Sequence, residues 1–145
     1  MSCKEIIVYH TLPEEAVKIR EEVFMREQGF ACEFDETDGK ATHLLLLVDG
    51  APAGTCRLFP GEAEGEYLVG RLAVRREYRG LGLGAELIAG AEREIRQKGG
   101  TAVVLHAQQQ ARAFYEKQGY SAYGDGDMEE GCPHVWMRKQ LDKRM

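Results

Sequence analysis

The first third of the chain changes from a strand-like to a helix-like arrangement of apolar residues. A short apolar run at 5–10 predicts a strand. Thr11 and Glu14 then have the spacing of a capping box, which predicts the start of a helix. The residues predicted to share the apolar face of this helix are Ala16, Ile19, Val23 and Phe24. The helix is predicted to end near Gly29.

Three apolar segments in the middle of the chain predict a meander of antiparallel strands. They occupy 43–50, 53–59 and 67–74. The turn at 49–52 contains the Asp-Gly pair that is typical of a hairpin. The segment 30–42, which lies before the meander, is rich in acidic residues and is predicted to be a loop.

Helical and strand-like segments alternate in the second half. Helical spacing relates Leu83, Leu87, Ile88, Ala91 and Ile95, and a glycine pair at 99–100 ends that helix. A nearly continuous apolar run at 101–107 predicts a strand buried on both faces. A short helix ending at Gly119 and two strands around 121–123 and 135–138 complete the chain. The order predicts one mixed α/β (α+β) domain over 1–145, largely antiparallel, with a helical crossover between two parallel strands.

Composition and charge narrow the class of protein. A chain of 145 residues with 43% hydrophobic and 30% charged residues is typical of one globular domain. A net charge of −5 disfavours nucleic acid as a partner. No long apolar run or cleavage signature is present, which predicts a cytoplasmic protein with no membrane partner.

The four cysteines, Cys3, Cys32, Cys56 and Cys132, lack the paired spacing of a zinc site. We therefore expect reduced structural thiols and no metal. Cys132 lies close to His134 and stays a minor catalytic candidate.

Residues 78–87, which read YRGLGLGAEL, predict a site for an anionic group. Glycine lets the backbone approach a ligand and direct several amides at it, and a helix that begins near Gly82 adds the positive end of its dipole. Arg75, Arg76 and Arg79 supply positive charge beside the turn. A tight turn with no ligand is the structural alternative.

Two familiar phosphate motifs fit this turn poorly. A Walker loop needs a Lys-Ser/Thr pair that does not follow the glycines. Gly80, Gly82 and Ala85 satisfy the spacing of a dinucleotide fingerprint. That fingerprint belongs in the first strand-turn-helix of a βαβ unit, whereas this turn follows an antiparallel meander.

Four segments together resemble the GNAT superfamily of acetyl-CoA-dependent N-acetyltransferases. Residues 74–84 resemble its motif A, with Arg79, Gly82 and Gly84 in the pattern [QR]-x-x-G-x-[GA]. Residues 106–120 resemble the next motif: Gln108 replaces a common Asn, and the matching residues are Ala111, Phe114, Tyr115, Gly119 and Tyr120. The closing EEGCPHVWMRKQL, together with EVFMREQGF near the start, resembles a subgroup with a P-H-x-x-M signature.

The resemblance implies a splayed sheet that binds acetyl-CoA as co-substrate. The pantetheine arm is expected to pair with the backbone of Leu72, Ala73 and Val74. The amides expected to hold the pyrophosphate belong to Arg79, Gly80, Leu81, Gly82, Leu83 and Gly84. Ala111 and Phe114 are further cofactor-binding residues on this resemblance.

Acetyl transfer also needs proton transfer and oxyanion stabilisation. Tyr115 is in the family's general-acid position, where a phenol can protonate the leaving thiolate; the alternative is a core tyrosine. Backbone amides at a bulge near Leu72 could stabilise the oxyanion. Many members of the family have a glutamate base in the third meander strand, whereas 67–72 contains no carboxylate here. The resemblance to the P-H-x-x-M subgroup, in which this histidine is the base of glyphosate-acetylating relatives, implies that His134 is the general base. His134 could instead be a structural histidine, and His43 and His106 are weaker candidates.

The acceptor side of the predicted site is less well defined. Glu33, Asp35, Glu36 and Asp38 could attract a cationic amine or form a solvated charged surface. We expect transfer to a primary amine of a small molecule, by direct attack in a ternary complex. A non-catalytic acyl-CoA-binding module and a protein N-acetyltransferase are the alternatives, and a homodimer is common for enzymes of this size.

Overall fold

Two compact units make up the chain. The computed structural model describes residues 3–30, 34–129 and 131–141. The first unit contains Met1–Phe59 and Arg71–Ala91, and the second contains Pro60–Gly70 and Glu92–Met145. Two strands and one helix contribute residues to both units. A single domain over 1–145 stays a prediction.

The first unit contains an antiparallel meander. Strands β1 (Lys4–Tyr9), β2 (Thr42–Val48) and β3 (Ala51–Pro60) pair in that order. Asp49 and Gly50 connect β2 to β3 and both have positive φ, at 51° and 83°. A type I′ hairpin turn, whose twist matches that of the flanking strands, requires positive φ at both central residues. The predicted Asp-Gly hairpin is therefore confirmed.

The predicted capping box at the first helix is wrong. Helix α1 (Glu14–Arg20) begins after Pro13, and no side chain caps it. Proline disfavours the helical conformation in the residue that precedes it. A helix capped by Thr11 would need that conformation at Leu12, the residue before Pro13. A π-helix (Glu21–Glu27) continues α1, and Gly29, with φ 79°, follows it as predicted.

Burial of one face of this helical segment forms the core of the first unit. Ile19, Val23 and Phe24 pack with Leu45 and Ala73. Ala16 is also buried, so all four positions of the predicted apolar face are confirmed.

Helix α2 (Leu83–Gln97) has the apolar face that its spacing predicts. The buried residues on that face are Leu83, Leu87, Ile88, Ala91 and Ile95. The amide of Gly100 donates to the carbonyl of Ile95 at 2.8 Å, and Gly99 has φ 85°. The glycine pair therefore ends the helix in the left-handed conformation that favours glycine.

The second unit contains the single parallel pair among the described strands. Strand β4 (Glu66–Val74) runs parallel to β5 (Ala102–Gln108), which confirms the predicted helical crossover. Strand β7 (Cys132–Gln140) lies antiparallel to β5 and to β6 (Ser121–Glu129). The fold is the predicted mixed α/β class, with seven mostly antiparallel strands in the described chain.

Two elements of the second unit differ in length from their predictions. Strands β6 and β7 are each longer than the segments 121–123 and 135–138 suggest. Nearly all of β6 is exposed, and it contains Gly and Asp, so it has no apolar pattern to recognise. Its pairing with β7 defines it instead. Helix α3 (Arg112–Lys117) follows a 3₁₀ turn (Gln109–Ala111).

Candidate active site

The glycine turn between β4 and α2 has a backbone that side chains would strain. Gly80 and Gly82 have φ values of 83° and 76°. A Cβ on either residue would meet no heavy atom within 4 Å, so conformation and not packing requires glycine at both positions. Arg79, between the 3₁₀ turn (Arg76–Tyr78) and Gly80, is extended.

The start of α2 directs backbone amides out of the helix. Its first helical hydrogen bond runs from the amide of Glu86 to the carbonyl of Gly82, at 3.2 Å. The amides that precede Glu86 therefore have no acceptor one turn earlier within the helix. Together with the helix dipole, they favour an anionic group.

The arginines beside this turn are tied to the protein. Arg79 donates through Nε to the carbonyl of Val74 at 2.8 Å, and its guanidinium lies 2.8 Å from Glu27. Arg75 donates to Glu22 at 3.1 Å, and this hydrogen bond raises the pKa of Arg75. These contacts fasten the turn to the π-helix, so the backbone is the better source of anion contacts.

Strand β4 is distorted just before the predicted pantetheine-binding segment. Arg71 has φ 52°, in the left-handed region that costs a non-glycine residue roughly 1–2 kcal/mol. Leu72 follows it, where a bulge was expected from the sequence. Ala73 is buried, and a Cβ on Gly54 would lie 3.1 Å from its carbonyl oxygen. Glycine at 54 therefore permits close approach of the backbone at this strand.

The acidic loop forms an ion network with arginines. Asp38 is buried and accepts hydrogen bonds from Arg20 at 2.7 Å and from Arg57 at 2.8 Å. Asp35 is more exposed and accepts from Arg57 at 2.7 Å and from Arg71 at 3.3 Å. The described carboxylates at 35 and 38 are therefore paired. Glu33 lies outside the described residues.

The arginines hold both carboxylates ionised. Burial opposes the charge of Asp38, but the hydrogen bonds from Arg20 and from the amide of Asp35 outweigh it, and the pKa falls from 3.8 to about 2. The hydrogen bond from Arg57 lowers the pKa of Asp35. His43 Nε2 donates to the carbonyl of Asp38 at 2.9 Å, and burial lowers the pKa of His43. His43 is therefore suited to holding the acidic loop in place and not to transferring a proton.

Tyr115 lies in α3 and is partly buried. Its ring contacts Phe114 edge-on at 5.0 Å and Tyr120 at 6.1 Å, measured between centroids. The end of α3 is held by a network that the sequence does not reveal: Glu92 accepts from the Tyr120 hydroxyl at 2.9 Å and from Lys139 at 3.1 Å. Ala111 is the residue that precedes this helix.

His134 is buried in β7, with one ring nitrogen fixed. Nδ1 lies 2.8 Å from the carbonyl oxygen of Cys132. A carbonyl only accepts, so Nδ1 carries the proton, and in the neutral ring Nε2 has the lone pair. Such an imidazole can take a proton through Nε2.

Two further ionisable groups lie beside His134 that the motifs do not indicate as a group. His106 stacks on His134, with ring centroids 4.7 Å apart, and Glu129 lies 3.6 Å from His134 Nε2. They come from β5 and β6, on either side of β7. Because the residues of β6 have no apolar alternation, the sequence pattern does not indicate that Glu129 lies near this histidine.

The described thiols show no catalytic arrangement. Cys3, Cys56 and Cys132 are free. Burial raises the pKa of Cys56 to about 12, which makes it inert. Cys132 is partly buried, and its sulfur lies 3.9 Å from the carbonyl of Pro133.

Comparison with known proteins identifies the family. A model described as "Acetyltransferase (GNAT) domain" matches residues 9–141. The chain belongs to the GNAT family of acetyltransferases. It is an N-acetyltransferase, and acyl-CoA is the co-substrate of acyl-CoA N-acyltransferases that share the fold.

Relatives match the GNAT chain over almost its full length. YyaT of Bacillus subtilis is 38% identical over 138 residues, which cover 90% of each chain. YjcF of the same organism, named an uncharacterized N-acetyltransferase, is 30% identical over 87% of this chain and 91% of its own. The crystal structure of an acyl-CoA N-acyltransferase from Pseudomonas aeruginosa has a TM-score of 0.82 and 28% identity, and covers 94% of this chain and 99% of that one.

Among the residues described, none of the helices is both long and apolar enough to cross a membrane.

Proposed function

We propose that this GNAT enzyme transfers the acetyl group of acetyl-CoA to a primary amine of a small molecule, by direct attack in a ternary complex. The choice of acetyl-CoA as the donor rests on the backbone conformation of residues 79–84. Its two positive-φ glycines and the amides at the start of α2, which precede the first helical hydrogen bond, are suited to a pyrophosphate. We further propose that the chain belongs to the P-H-x-x-M subgroup through Pro133, His134 and Met137.

The proposed donor site uses backbone groups more than side chains. The pantetheine amides pair with Leu72, Ala73 and Val74 like an added strand, and the amides of 79–84 hold the pyrophosphate. Ala111 and Phe114 complete the cofactor contacts in this proposal. Isothermal titration with acetyl-CoA tests it: we expect saturable binding, and no binding at millimolar concentration would exclude this donor.

Gly82→Ala is expected to weaken acetyl-CoA binding. The φ of 76° at Gly82 costs a residue with a Cβ roughly 1–2 kcal/mol, so the turn shifts away from the conformation that directs its amides at the anion. We expect a loss of about 5- to 30-fold in affinity if this cost falls on the bound conformation. Gly39→Ala is the matched control, because a Cβ at Gly39 would meet no heavy atom within 4 Å and the φ of Gly39 is not positive. Equal affinities of the two variants would contradict the assignment.

Proton transfer in the proposed reaction uses one acid and one base. His134 Nε2 takes the proton of the attacking amine, which its fixed Nδ1–H supports. Amides near the distorted backbone at Arg71 stabilise the oxyanion of the tetrahedral intermediate. The Tyr115 hydroxyl then protonates the thiolate of coenzyme A as the C–S bond breaks.

His134→Ala is expected to lower kcat by about 10²- to 10⁴-fold, the range for loss of a general base. Added imidazole is expected to restore part of this activity, which loss of a purely structural histidine would not allow. Steady-state kinetics with and without imidazole measure both effects. His10→Ala, at an exposed histidine in the first unit, is the control. Full activity of the His134 variant would exclude His134 as the base.

The acceptor amine is proposed to meet the acidic side of the first unit. Asp35 keeps 42% of its side chain exposed and is the better candidate, whereas Asp38 has 8% exposed and is held by arginines. We propose that the negative charges of Asp38 and Glu33 also attract the cationic acceptor amine. Asp35→Asn is expected to raise KM for the amine and leave KM for acetyl-CoA unchanged; the reverse pattern would contradict this role.

A further inference from the structure

A group of metal-ligating side chains lies where three neighbouring strands of the second unit meet. His106 on β5, His134 on β7 and Glu129 at the end of β6 have ligand atoms that all lie within 4.8 Å of one another. Glu129 lies near both rings: one carboxylate oxygen is 3.9 Å from His106 Nδ1 and the other is 3.6 Å from His134 Nε2.

Both histidines have their other ring nitrogen held by an acceptor. The carbonyl of Cys132 accepts from His134 Nδ1 at 2.8 Å, and the carboxylate of Asp127 accepts from His106 Nε2 at 2.7 Å. Each neutral ring therefore has its lone pair on the nitrogen nearer Glu129. Metal-bound histidines have this same arrangement, in which an outer acceptor fixes the tautomer and orients the ring.

The proximity of these acceptor atoms favours a positive charge among them. Two imidazole lone pairs and a carboxylate are all acceptors, and acceptors that lie close together repel unless a proton or a cation lies between them. A proton on one histidine would satisfy only part of the group. A cation bound by all three ligands satisfies it completely.

We propose that His106 Nδ1, Glu129 and His134 Nε2 bind one divalent transition-metal ion of the Zn²⁺ type. Imidazole and carboxylate ligands suit zinc and its neighbours, whereas Ca²⁺ and Mg²⁺ prefer sites made of oxygen. Zinc–ligand bonds of about 2.0–2.1 Å in a tetrahedron separate the ligands by about 3.3 Å. The 3.6 and 3.9 Å separations from Glu129 need only a small closure, and Glu129, with 53% exposure, has room to make it. The ligand atoms of the two histidines lie within 4.8 Å of each other and must also move closer.

Ring stacking adds a movement that can be measured. His106 stacks on His134 with a 30° angle between planes and on Trp136 with a 25° angle. Lone pairs in nearly parallel rings do not point at one ion, so His106 must turn about its Cβ–Cγ bond when the metal binds. Trp136 is the single tryptophan of the sequence, and its ring centroid lies 4.4 Å from that of His106. Its fluorescence therefore reports the rotation.

Metal binding has a consequence for the reaction that rests on the proposed function. The ion uses the same Nε2 lone pair of His134 that is assigned to the amine proton. Metal and proton transfer therefore exclude each other, and Zn²⁺ is expected to inhibit acetyl transfer until a chelator removes it. If Zn²⁺ binds without inhibiting, His134 is not the base, and the metal site is unaffected by that result.

Titration of the chelator-treated full chain with Zn²⁺ tests the site. We expect saturable binding at one ion per chain by calorimetry, a parallel change in Trp136 emission, and visible absorption bands of tetrahedral type with Co²⁺. His106→Ala and Glu129→Gln are each expected to lower the affinity at least about 10-fold, the loss seen for mutations even of outer partners. His10→Ala and Asp125→Asn, which alter groups outside the site, are the controls, and circular dichroism checks the fold of each variant. No saturable binding by the wild type, or equal affinity in the site variants and the controls, would overturn the proposal.

Discussion

Tyr115→Phe is expected to lower kcat by about 10²- to 10⁴-fold, the range for loss of a general acid. The substitution removes only the hydroxyl, so the ring keeps its edge contacts with Phe114 and Tyr120. The leaving thiolate of coenzyme A then departs without a proton. Because the ring and the helix are preserved, affinity for acetyl-CoA is expected to change little.

Two measurements separate this chemical role from a structural one. Pre-steady-state turnover reports the acetyl-transfer step, and calorimetry reports the binding of acetyl-CoA. Tyr123→Phe is the matched control, since Tyr123 is an exposed tyrosine of the same unit. A Tyr115 variant with wild-type turnover would remove Tyr115 from the mechanism, and a loss confined to KM would give it a binding role.

Asp38→Asn is expected to lower the free energy of unfolding by about 3–5 kcal/mol, the usual cost of breaking a buried ion pair from one side. The side chains of Arg20 and Arg57 are 1% and 6% exposed, so water cannot replace the lost carboxylate. The buried Nε of Arg57 already lacks a hydrogen-bond partner, which makes this arginine more dependent on Asp38. Chemical denaturation measures the change.

The same carboxylate gives the stability a predictable dependence on pH. The folded pKa of Asp38, about 2, lies below the ordinary value of 3.8. The carboxylate therefore stabilises the fold fully above the ordinary value, and this contribution is lost as the pH falls through the folded value. We expect the stability difference between wild type and Asp38→Asn to narrow as the pH falls from about 4 toward 2.

A neighbouring acidic residue provides the control for this prediction. Glu36 lies in the same 3₁₀ turn (Glu36–Gly39) and is exposed. Glu36→Gln is expected to change stability by less than about 0.5 kcal/mol. If both variants had the same small effect, the ion network would not support the fold. A difference between wild type and Asp38→Asn that stays constant down to the lowest pH would contradict the pKa assignment.

The elements that the sequence predicts well are those in which local pattern and tertiary burial agree. The face of Ala16, Ile19, Val23 and Phe24 is buried as its helical spacing requires. The Asp49-Gly50 turn has the two positive φ values that its residue types favour. Helix α2 likewise ends at its glycine pair. In each case the residues that form the element are sufficient to define it.

The features that the sequence does not predict depend on distant partners. Strand β6 has no apolar alternation and exists through its pairing with β7. The acidic loop has the composition of a solvated segment, yet Arg20, from α1, and Arg57, from β3, bury Asp38. The grouping of Glu129 with two histidines follows from the order of β5, β7 and β6. Spacing along the chain contains none of this information.

The central claim is that this GNAT protein moves an acetyl group from acetyl-CoA to an amine. The most direct test incubates the wild-type chain with acetyl-CoA and a panel of small amines, polyamines, amino acids and peptides, and measures release of the coenzyme A thiol. We predict amine-dependent release with at least one small primary amine, together with an equal amount of the N-acetylated product. Saturable binding of acetyl-CoA with no release above the amine-free rate for any member of the panel would contradict the claim and indicate an acyl-CoA-binding module.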